Sequence, residues 1–172
     1  MKKLIIVVVM IISIVSVYAQ KTEKKSKKEL RAEKAAKQKE EIKAIVESET
    51  FVFDARNVNP MSGRSINLST QYDVKITNDS IYSYLPYYGV AHNAVYGGTE
   101  SPMIFSQPFE TYTMEETKNG YHVKVVVKNG SDRLDFSFHI SENGSTSLSV
   151  SSINRQAISY YGDIVKSREK NK

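Results

Sequence analysis

The stretch that decides the fold is "GYHVKVVVKNGSDRLDFSFHISENGSTSLSVSS", residues 120–152. Apolar and polar residues alternate in it, which is the pattern of half-buried β-strands. Two Asn-Gly pairs, at 129–130 and 143–144, interrupt the alternation, and Asn-Gly between alternating runs indicates a hairpin turn. These residues therefore predict a three-stranded antiparallel meander with one apolar face.

The apolar faces restrict the register of the first hairpin. A slip of one residue would turn a whole row of apolar side chains to the opposite face of the sheet. A two-residue type I′ turn at 129–130 avoids this. It places Val125 opposite Leu134 and Val123 opposite Phe136, and this is the register that we predict.

The second hairpin needs a different turn to keep its apolar residues on the same face. We predict a three-residue loop, 142–144, whose glycine adopts the left-handed conformation in a bulge. This loop places Phe138 opposite Leu148 and Phe136 opposite Val150. Three strands then share one apolar face.

Outside the meander, β-branched and aromatic residues alternate with polar ones between closely spaced turn signals. The strands that we predict lie near 50–56, 69–77, 80–85, 102–106, 109–117, 120–128, 133–141, 145–152 and 157–161. Many short strands joined by hairpin turns are typical of a sandwich or a barrel. The predicted fold class is mainly β, a single antiparallel β sandwich or barrel-like domain over residues 48–166, with a disordered tail over 167–172.

A charged α-helix is predicted before the β domain, within an arm over residues 20–47. The arm lacks Gly and Pro and is rich in Ala, Lys, Glu and Gln, which are strong helix formers. Its apolar face is limited to Ile42, Ile45 and Val46 with Ala35, so we expect only the last turns to dock on the domain.

Charge separates the arm from the body of the protein. Residues 21–47 contain ten Lys or Arg and six Glu, a net charge of +4, whereas residues 48–172 contain twelve basic and thirteen acidic residues. A nucleic-acid face needs basic residues gathered on a folded surface, so no nucleic-acid partner is expected. The arm is interpreted as a charged spacer, or alternatively as a peripheral contact with anionic surfaces.

The beginning of the chain predicts export. Two lysines precede an apolar run over residues 4–17, and the small residues Val17 and Ala19 stand before a cleavage expected at Gln20. The run is about 14 residues, shorter than the ~20 of a membrane-spanning helix, and no cysteine follows it for a lipoprotein anchor. We expect a signal peptide over 1–19 and a periplasmic or secreted protein with no membrane span after cleavage.

The stretch "SIYSYLPYYGVAHNAVYGG", residues 80–98, is aromatic and lacks charged side chains. We predict a strand over 80–85 that is covered on both faces, followed by a loop over 86–98. Tyrosine provides rigid apolar area and a hydroxyl, which suits a sugar ring or a protein partner. The ligand-binding candidates are Tyr84, Tyr87, Tyr88, His92 and Tyr96.

An alternative role for the loop is structural. It would fold over an open end of the sheet, and its tyrosines would fill the core. Burial is the commoner use of aromatic side chains in a folded domain, so the sequence favours this interpretation over a contact surface.

Catalytic and metal-binding motifs are not apparent in the sequence. There is no cysteine, no Gly-x-Ser-x-Gly and no His-Glu-x-x-His. His122 and His139 are expected as exposed diagonal neighbours on the polar face of the hairpin. We predict no catalytic residue, no metal site and no cofactor, while His92 could transfer a proton near pH 7.

Two segments resemble a known family. "FVFDARNVNPMSGRSINLSTQYDVKITNDSIYSYLPYYGVAH" (51–92) and "SVSSINRQAISYYGDI" (149–164) resemble the bacterial domain of unknown function 4251. The most specific parts are 85–87 and 154–156. The resemblance covers 51–164 and implies an exported protein of a Bacteroides-type Gram-negative bacterium; it implies no known activity, catalytic residue or cofactor.

Two functional hypotheses follow. The first is an exported, non-catalytic binding or envelope-structural module that contacts an envelope protein or glycan through the 86–98 loop. The second is a hydrolase acting on envelope glycans or peptides, with His92 and a carboxylate brought near it by folding.

Overall fold

The computed structural model describes residues 26–92 and 101–167. The expected signal peptide, Tyr96 and the tail from residue 168 lie outside the described residues. The elements are α1 (Lys27–Glu47), β1 (Phe51–Pro60), β2 (Ile66–Ile76), β3 (Ser80–Tyr84), β4 (Ile104–Thr117), β5 (Gly120–Asn129), β6 (Asp132–Ser141), β7 (Ser145–Ser152) and β8 (Ile158–Lys166). None of the helical structure in these two ranges has the length and apolar character of a membrane span.

The eight strands form a closed antiparallel barrel in which every strand pairs with its neighbours in sequence and β8 pairs with β1. The mainly β, antiparallel fold is confirmed, and of the two predicted architectures it is the barrel. Because β8 pairs with β1, the first and last strands of the barrel have no open outer edge, which reduces the hazard of edge-to-edge association.

The prediction of two separate strands at 102–106 and 109–117 is wrong, because both belong to β4. Pro108 lies inside this strand, opposite Ser80 of β3. Directly after Pro108, the pairing of β4 with β5, its neighbour on the other edge, shifts register between Phe109 and Thr111. Proline cannot donate a ladder hydrogen bond and is tolerated in strands at such bulges, so the chain continues through it.

The hairpin between β6 and β7 has the predicted register. Phe138 lies opposite Leu148, and Phe136 lies opposite Val150. Gly144 has a φ of 87°, which is the left-handed conformation expected at the end of this three-residue loop.

The predicted register of the β5–β6 hairpin is wrong by two residues. Val125 lies opposite Phe136, and Asn129 is still paired with Asp132, so the turn is Gly130-Ser131. Gly130 has a φ of 63°, whereas Ser131 has no positive φ. A glycine at the first central position is the mark of a type II′ turn. A shift of two residues keeps every side chain on its predicted face, so the apolar face survives the error.

The barrel interior is a packed core. The large side chains with almost no exposure include Phe51, Phe53, Phe136, Phe138 and Tyr160. Phe138 packs edge-on against Phe51 and Phe53, with ring centroids 5.6 and 6.0 Å apart. Eight strands enclose just enough space for side chains to fill, and here large aromatic residues occupy it.

The last turns of α1 close one end of the barrel. Ile42, Ile45 and Val46 are buried in the same core as the inward side chains of the strands. The Tyr112 hydroxyl donates to the Val46 carbonyl at 3.1 Å, and the Gln38 amide donates to the Asn143 carbonyl at 2.7 Å. Docking through the last turns of the helix was predicted from its apolar face.

The beginning of α1 has its own hydrogen-bonded cap. The Glu29 amide donates to Ser26 Oγ at 3.2 Å, and the Ser26 amide donates to Glu29 Oε2 at 2.8 Å. This reciprocal pair is a capping box, which satisfies two main-chain donors that the helix leaves free.

Candidate functional site

The loop that follows β3 lies at the barrel end opposite α1, and Tyr87 anchors it there. The Tyr87 hydroxyl lies 3.0 Å from the Gln156 carbonyl and 3.2 Å from the Val90 carbonyl. The Tyr160 hydroxyl donates to the Pro86 carbonyl at 2.8 Å. Burial raises the pKa of both phenols, because a buried site disfavours the charged phenolate.

Main-chain bonds join this loop to the loop between β7 and β8. The His92 amide donates to the Asn154 carbonyl at 2.8 Å, and the Gln156 amide donates to the Val90 carbonyl at 3.1 Å. Ala91 forms an isolated antiparallel bridge with Arg155. The two loops therefore hold each other over the end of the barrel.

A buried ion pair fixes the second of these loops. Arg155 pairs with Asp132, and their side chains are only 15% and 8% exposed. The Ser152 hydroxyl also contacts both Asp132 oxygens, at 2.9 and 2.8 Å. A carboxylate that is shielded from water needs such partners, so this cluster belongs to the architecture of the barrel end.

The structure separates the predicted binding residues into three groups. Tyr87 is half-buried and bonded to the fold, as the structural interpretation of the loop requires. Tyr88 and His92 lie exposed in the loop, and Tyr84 lies exposed on the barrel wall. Tyr96 is outside the described residues. A binding role stays a prediction for all five.

The expectation that β3 is covered on both faces is wrong. Ile81 and Ser83 point into the barrel, whereas Tyr82 and Tyr84 remain 47% and 46% exposed on its outer wall. The docked turns of α1 cover the end of the barrel instead of this wall. The bulk on both faces of β3 therefore reflects one buried face and one aromatic outer face.

Two β2 residues contact these tyrosines, Lys75 on the outer wall and Tyr72, which is itself partly buried against the core. Tyr84 stacks on Tyr72 with ring centroids 5.4 Å apart and an angle of 26°. The Lys75 ammonium lies 6.0 Å from the centre of the Tyr82 ring, at the limit of a cation–π contact. We call these four residues the tyrosine face. Sequence reasoning missed Tyr72 and Lys75, although the predicted strands near 69–77 and 80–85 are joined by a short turn that brings Lys75 opposite Tyr82.

A carboxylate stands at the margin of the tyrosine face. Asp73 pairs across the ladder with Tyr84 on one side and with Asp54 on the other. Partial burial, and after it the negative charge of Asp54, raise the pKa of the Asp73 carboxyl. The face thus joins aromatic rings, one cation and one carboxyl that is easier to protonate than usual.

The histidines give no support to the hydrolase hypothesis. Within the described residues, His92 forms no hydrogen bond or ion pair with a carboxylate, and no three acidic or histidine side chains there could hold a metal ion. His122 and His139 are directly opposite each other, where a diagonal arrangement was expected. Their ring centroids are 4.4 Å apart and the rings stack. The two histidines are opposite and not diagonal because the β5–β6 register differs by two residues from the predicted one.

The sequence matches the model of a known protein family. The model of Domain of unknown function (DUF4251) matches residues 33–164. The chain belongs to the DUF4251 family. The match confirms the resemblance found in the sequence and extends it at the N-terminal side into the helix. It assigns no biochemical activity to the DUF4251 protein.

A solved structure shares this fold. It is the crystal structure of a DUF4251 family protein from Bacteroides eggerthii, which aligns with a TM-score of 0.56 and 14% sequence identity. The alignment covers 76% of the present DUF4251 chain and 89% of the other. No curated protein matches the chain significantly.

Proposed function

We propose that this DUF4251 protein is an exported, non-catalytic binding module of the bacterial envelope that contacts a protein or glycan partner through the tyrosine face. The single observation that carries the proposal is the exposure of Tyr82 and Tyr84. Exposed aromatic residues are enriched where proteins bind partners, since they bury a large rigid area and offer a hydroxyl.

The composition of the barrel supports an external contact surface. The interior is filled with aromatic and aliphatic side chains, so a ligand has to bind on the wall or at the loops. On β7 the outward positions are all serine, which is the usual composition of a solvated strand face. Two neighbouring tyrosines at outward positions of β3 depart from that composition.

The loop contributes to the proposal only through its exposed residues. Tyr88 and His92 are free to contact a partner, whereas the Tyr87 hydroxyl is bonded to the fold. Among the described residues of the loop, the proposal therefore retains Tyr88 and His92, while Tyr96 stays a prediction.

The binding proposal is tested with a double variant, Tyr82→Ser with Tyr84→Ser. The bait protein is used to capture partners from a periplasmic extract and from a solubilised envelope-polysaccharide fraction. Ile153→Ser is the matched control, because Ile153 is an exposed apolar residue of the β7–β8 loop. We expect the double variant to lose capture while the control keeps it and all three proteins melt alike. Equal capture by the wild type and the double variant would refute the proposal.

Export is tested separately. It is supported by the two lysines, the apolar run and the small residues of the first 20 positions. Cell fractionation should recover the protein outside the cytoplasm, with Gln20 as its first residue by mass spectrometry. A chain that keeps residues 1–19 and stays in the cytoplasm contradicts it.

A further inference from the structure

A groove lies on the barrel wall where β7, β8 and β1 meet. Its volume is about 510 Å³, within the roughly 300–1,000 Å³ of small-molecule sites. Its larger lining residues are Arg56, His139, Tyr161 and Asp163, and its small ones include Ser145 and Ser147. We call it the wall groove. None of these residues belongs to the tyrosine face.

A β-bulge forms one side of the wall groove. The pairing of β1 shifts between Ala55 and Asn57 in both of its ladders, so Arg56 has no partner in β2 or in β8. Bulges of this kind redirect a side chain and are common beside binding sites. The guanidinium of Arg56 reaches Asp163 of β8, with 2.5 Å between Nη2 and Oδ2.

Gly162 of β8 is a second departure from regular strand chemistry at the same place. A Cβ atom on Gly162 would lie 1.8 Å from the Asp54 carbonyl oxygen, so only glycine permits this approach of β8 to β1. Glycine weakens a strand interior and marks a bulge or a close approach. The bulge and the glycine are two departures from regular strand geometry, and both lie at the groove.

The chemistry of the wall groove favours a polar, uncharged ligand. Arg56 and Asp163 neutralise each other. Ser147 lies between Tyr161 and His139, because it is the cross-strand neighbour of both, and its side chain ends in a hydroxyl. Hydroxyls both donate and accept hydrogen bonds. The Tyr161 ring is 46% exposed and offers an apolar surface. The Ser145 hydroxyl already donates to Asp163 Oδ1 at 3.2 Å, whereas an apolar ligand would cover the Ser147 hydroxyl without offering it a partner. A ligand of either charge would meet a charge of its own sign in the Arg56–Asp163 pair.

A second groove lies next to the first. It has a volume of about 430 Å³, lies between the docked turns of α1 and β8, and shares Arg56 and Asp163 with the wall groove. Its polar residues include Gln38, Glu41 and Lys166. The ion pair of Arg56 and Asp163 therefore stands between two adjacent grooves, and a ligand longer than one sugar ring could contact both.

We propose that the wall groove is a binding site for a neutral oligosaccharide. The Tyr161 ring packs against the apolar face of one sugar unit, and Arg56, Asp163 and the serine hydroxyls bond to the hydroxyls of the ligand. The second groove accommodates the continuation of the sugar chain. This site is separate from the tyrosine face, and it does not depend on that face having a partner.

The test uses two-dimensional amide NMR of the purified full-length protein with neutral oligosaccharides of glucose, of mannose and of N-acetylglucosamine, each titrated to millimolar concentration. We expect one of the three to shift the amides of β8 and of residues 145–147. Tyr161→Ala should weaken that binding at least tenfold, whereas Tyr161→Phe keeps the ring and should retain it. The exposure of Tyr161 makes both variants foldable, which the dispersion of the same spectra verifies.

The control is the double variant Tyr82→Ser with Tyr84→Ser, which should bind the oligosaccharide as the wild type does. Loss of partner capture in that variant with retained sugar binding would show two independent sites. The wall-groove proposal is overturned if no oligosaccharide shifts these amides, if the shifts map elsewhere, or if Tyr161→Ala binds as tightly as the wild type.

Discussion

The Tyr87 hydroxyl lies 3.0 Å from the main-chain oxygen of Gln156, in a loop that is far from it in sequence. This contact ties the loop after β3 to the loop before β8 and closes the barrel end that α1 does not reach. The neighbouring Tyr88 is 47% exposed. Two adjacent tyrosines, indistinguishable in the sequence, therefore have opposite roles.

The difference between these tyrosines predicts their effects on stability. Tyr87→Phe removes the hydrogen bond and should lower the free energy of unfolding by about 1 kcal/mol, or the Tm by about 3–6 °C. Tyr88→Phe is the matched control and should stay within about 0.5 kcal/mol of the wild type. Thermal unfolding followed by circular dichroism measures both. Equal melting of the two variants contradicts the anchoring role of Tyr87.

The Arg155–Asp132 pair should contribute more to the free energy of unfolding than the ion pairs on the barrel wall do. Arg155→Ala leaves Asp132 without its cation in a site where the carboxylate is almost fully shielded, and we expect a loss of about 3–5 kcal/mol. Lys124→Ala breaks an exposed pair with Asp135 and should cost less than about 1 kcal/mol. Urea unfolding of both variants gives the comparison. Similar losses would mean that the Arg155–Asp132 pair is solvated.

Gly162 should tolerate no side chain. In Gly162→Ala the new methyl group would meet the Asp54 carbonyl at 1.8 Å, and two strand backbones would have to separate, for a loss of about 3 kcal/mol or more. Hydrogen exchange should then show lost protection along β1 and β8.

The matched control for Gly162 is Gly130→Ala. An added Cβ on Gly130 would have no atom within 4 Å, so the only strain in Gly130→Ala comes from the φ of 63°. We expect this left-handed conformation to lower the free energy of unfolding by about 1–2 kcal/mol. Protection of β1 and β8 should be unchanged in this variant. If Gly162→Ala behaves like Gly130→Ala, the close approach of the strands is not rigid.

Asp73 predicts a dependence of stability on pH. Its pKa is raised in the folded state, so the folded protein binds this proton more tightly than the unfolded chain does. The ionised carboxylate therefore destabilises the fold at neutral pH, and the penalty disappears as the pH falls through the raised pKa towards the ordinary value of about 3.9.

Asp73→Asn should accordingly be more stable than the wild type at pH 7, and the advantage should vanish in acid. Asp54→Asn removes only the neighbouring charge, which is the lesser cause of the shift, so its gain should be smaller. Urea unfolding between pH 3 and pH 7 measures both. An advantage for Asp73→Asn that persists undiminished at the acid end would exclude the ionisation of Asp73 as its cause.

Period-two patterns were sufficient to predict most of the strands and the apolar face of the meander, but they divided β4 at Pro108 and predicted two covered faces for β3. They could not decide the β5–β6 register, since turns at 129–130 and at 130–131 both keep the apolar residues on one face. For the β6–β7 hairpin the same rule excluded a two-residue loop at Asn143-Gly144, and the three-residue loop 142–144 that remained as the prediction is the one observed.

The sites depend on contacts that no local pattern contains. Tyr82 and Tyr84 could be recognised as aromatic, yet their exposure follows from where α1 docks. Arg56 and Asp163 are more than a hundred positions apart in the chain and meet only because β8 closes on β1. The one local signal near the wall groove was a glycine, Gly162, directly after the predicted strand 157–161; in the structure the strand continues through it to Lys166.

The pairing of β1 with β8 has a consequence for the rate of folding. All other strand pairs join neighbours in sequence, whereas this seam brings Phe51 to Lys166. Closing so long a segment of chain costs conformational entropy before any contact compensates for it. We expect the β1–β8 pairing to form last, after the transition state for folding. Substitutions along it should then accelerate unfolding and leave the refolding rate nearly unchanged.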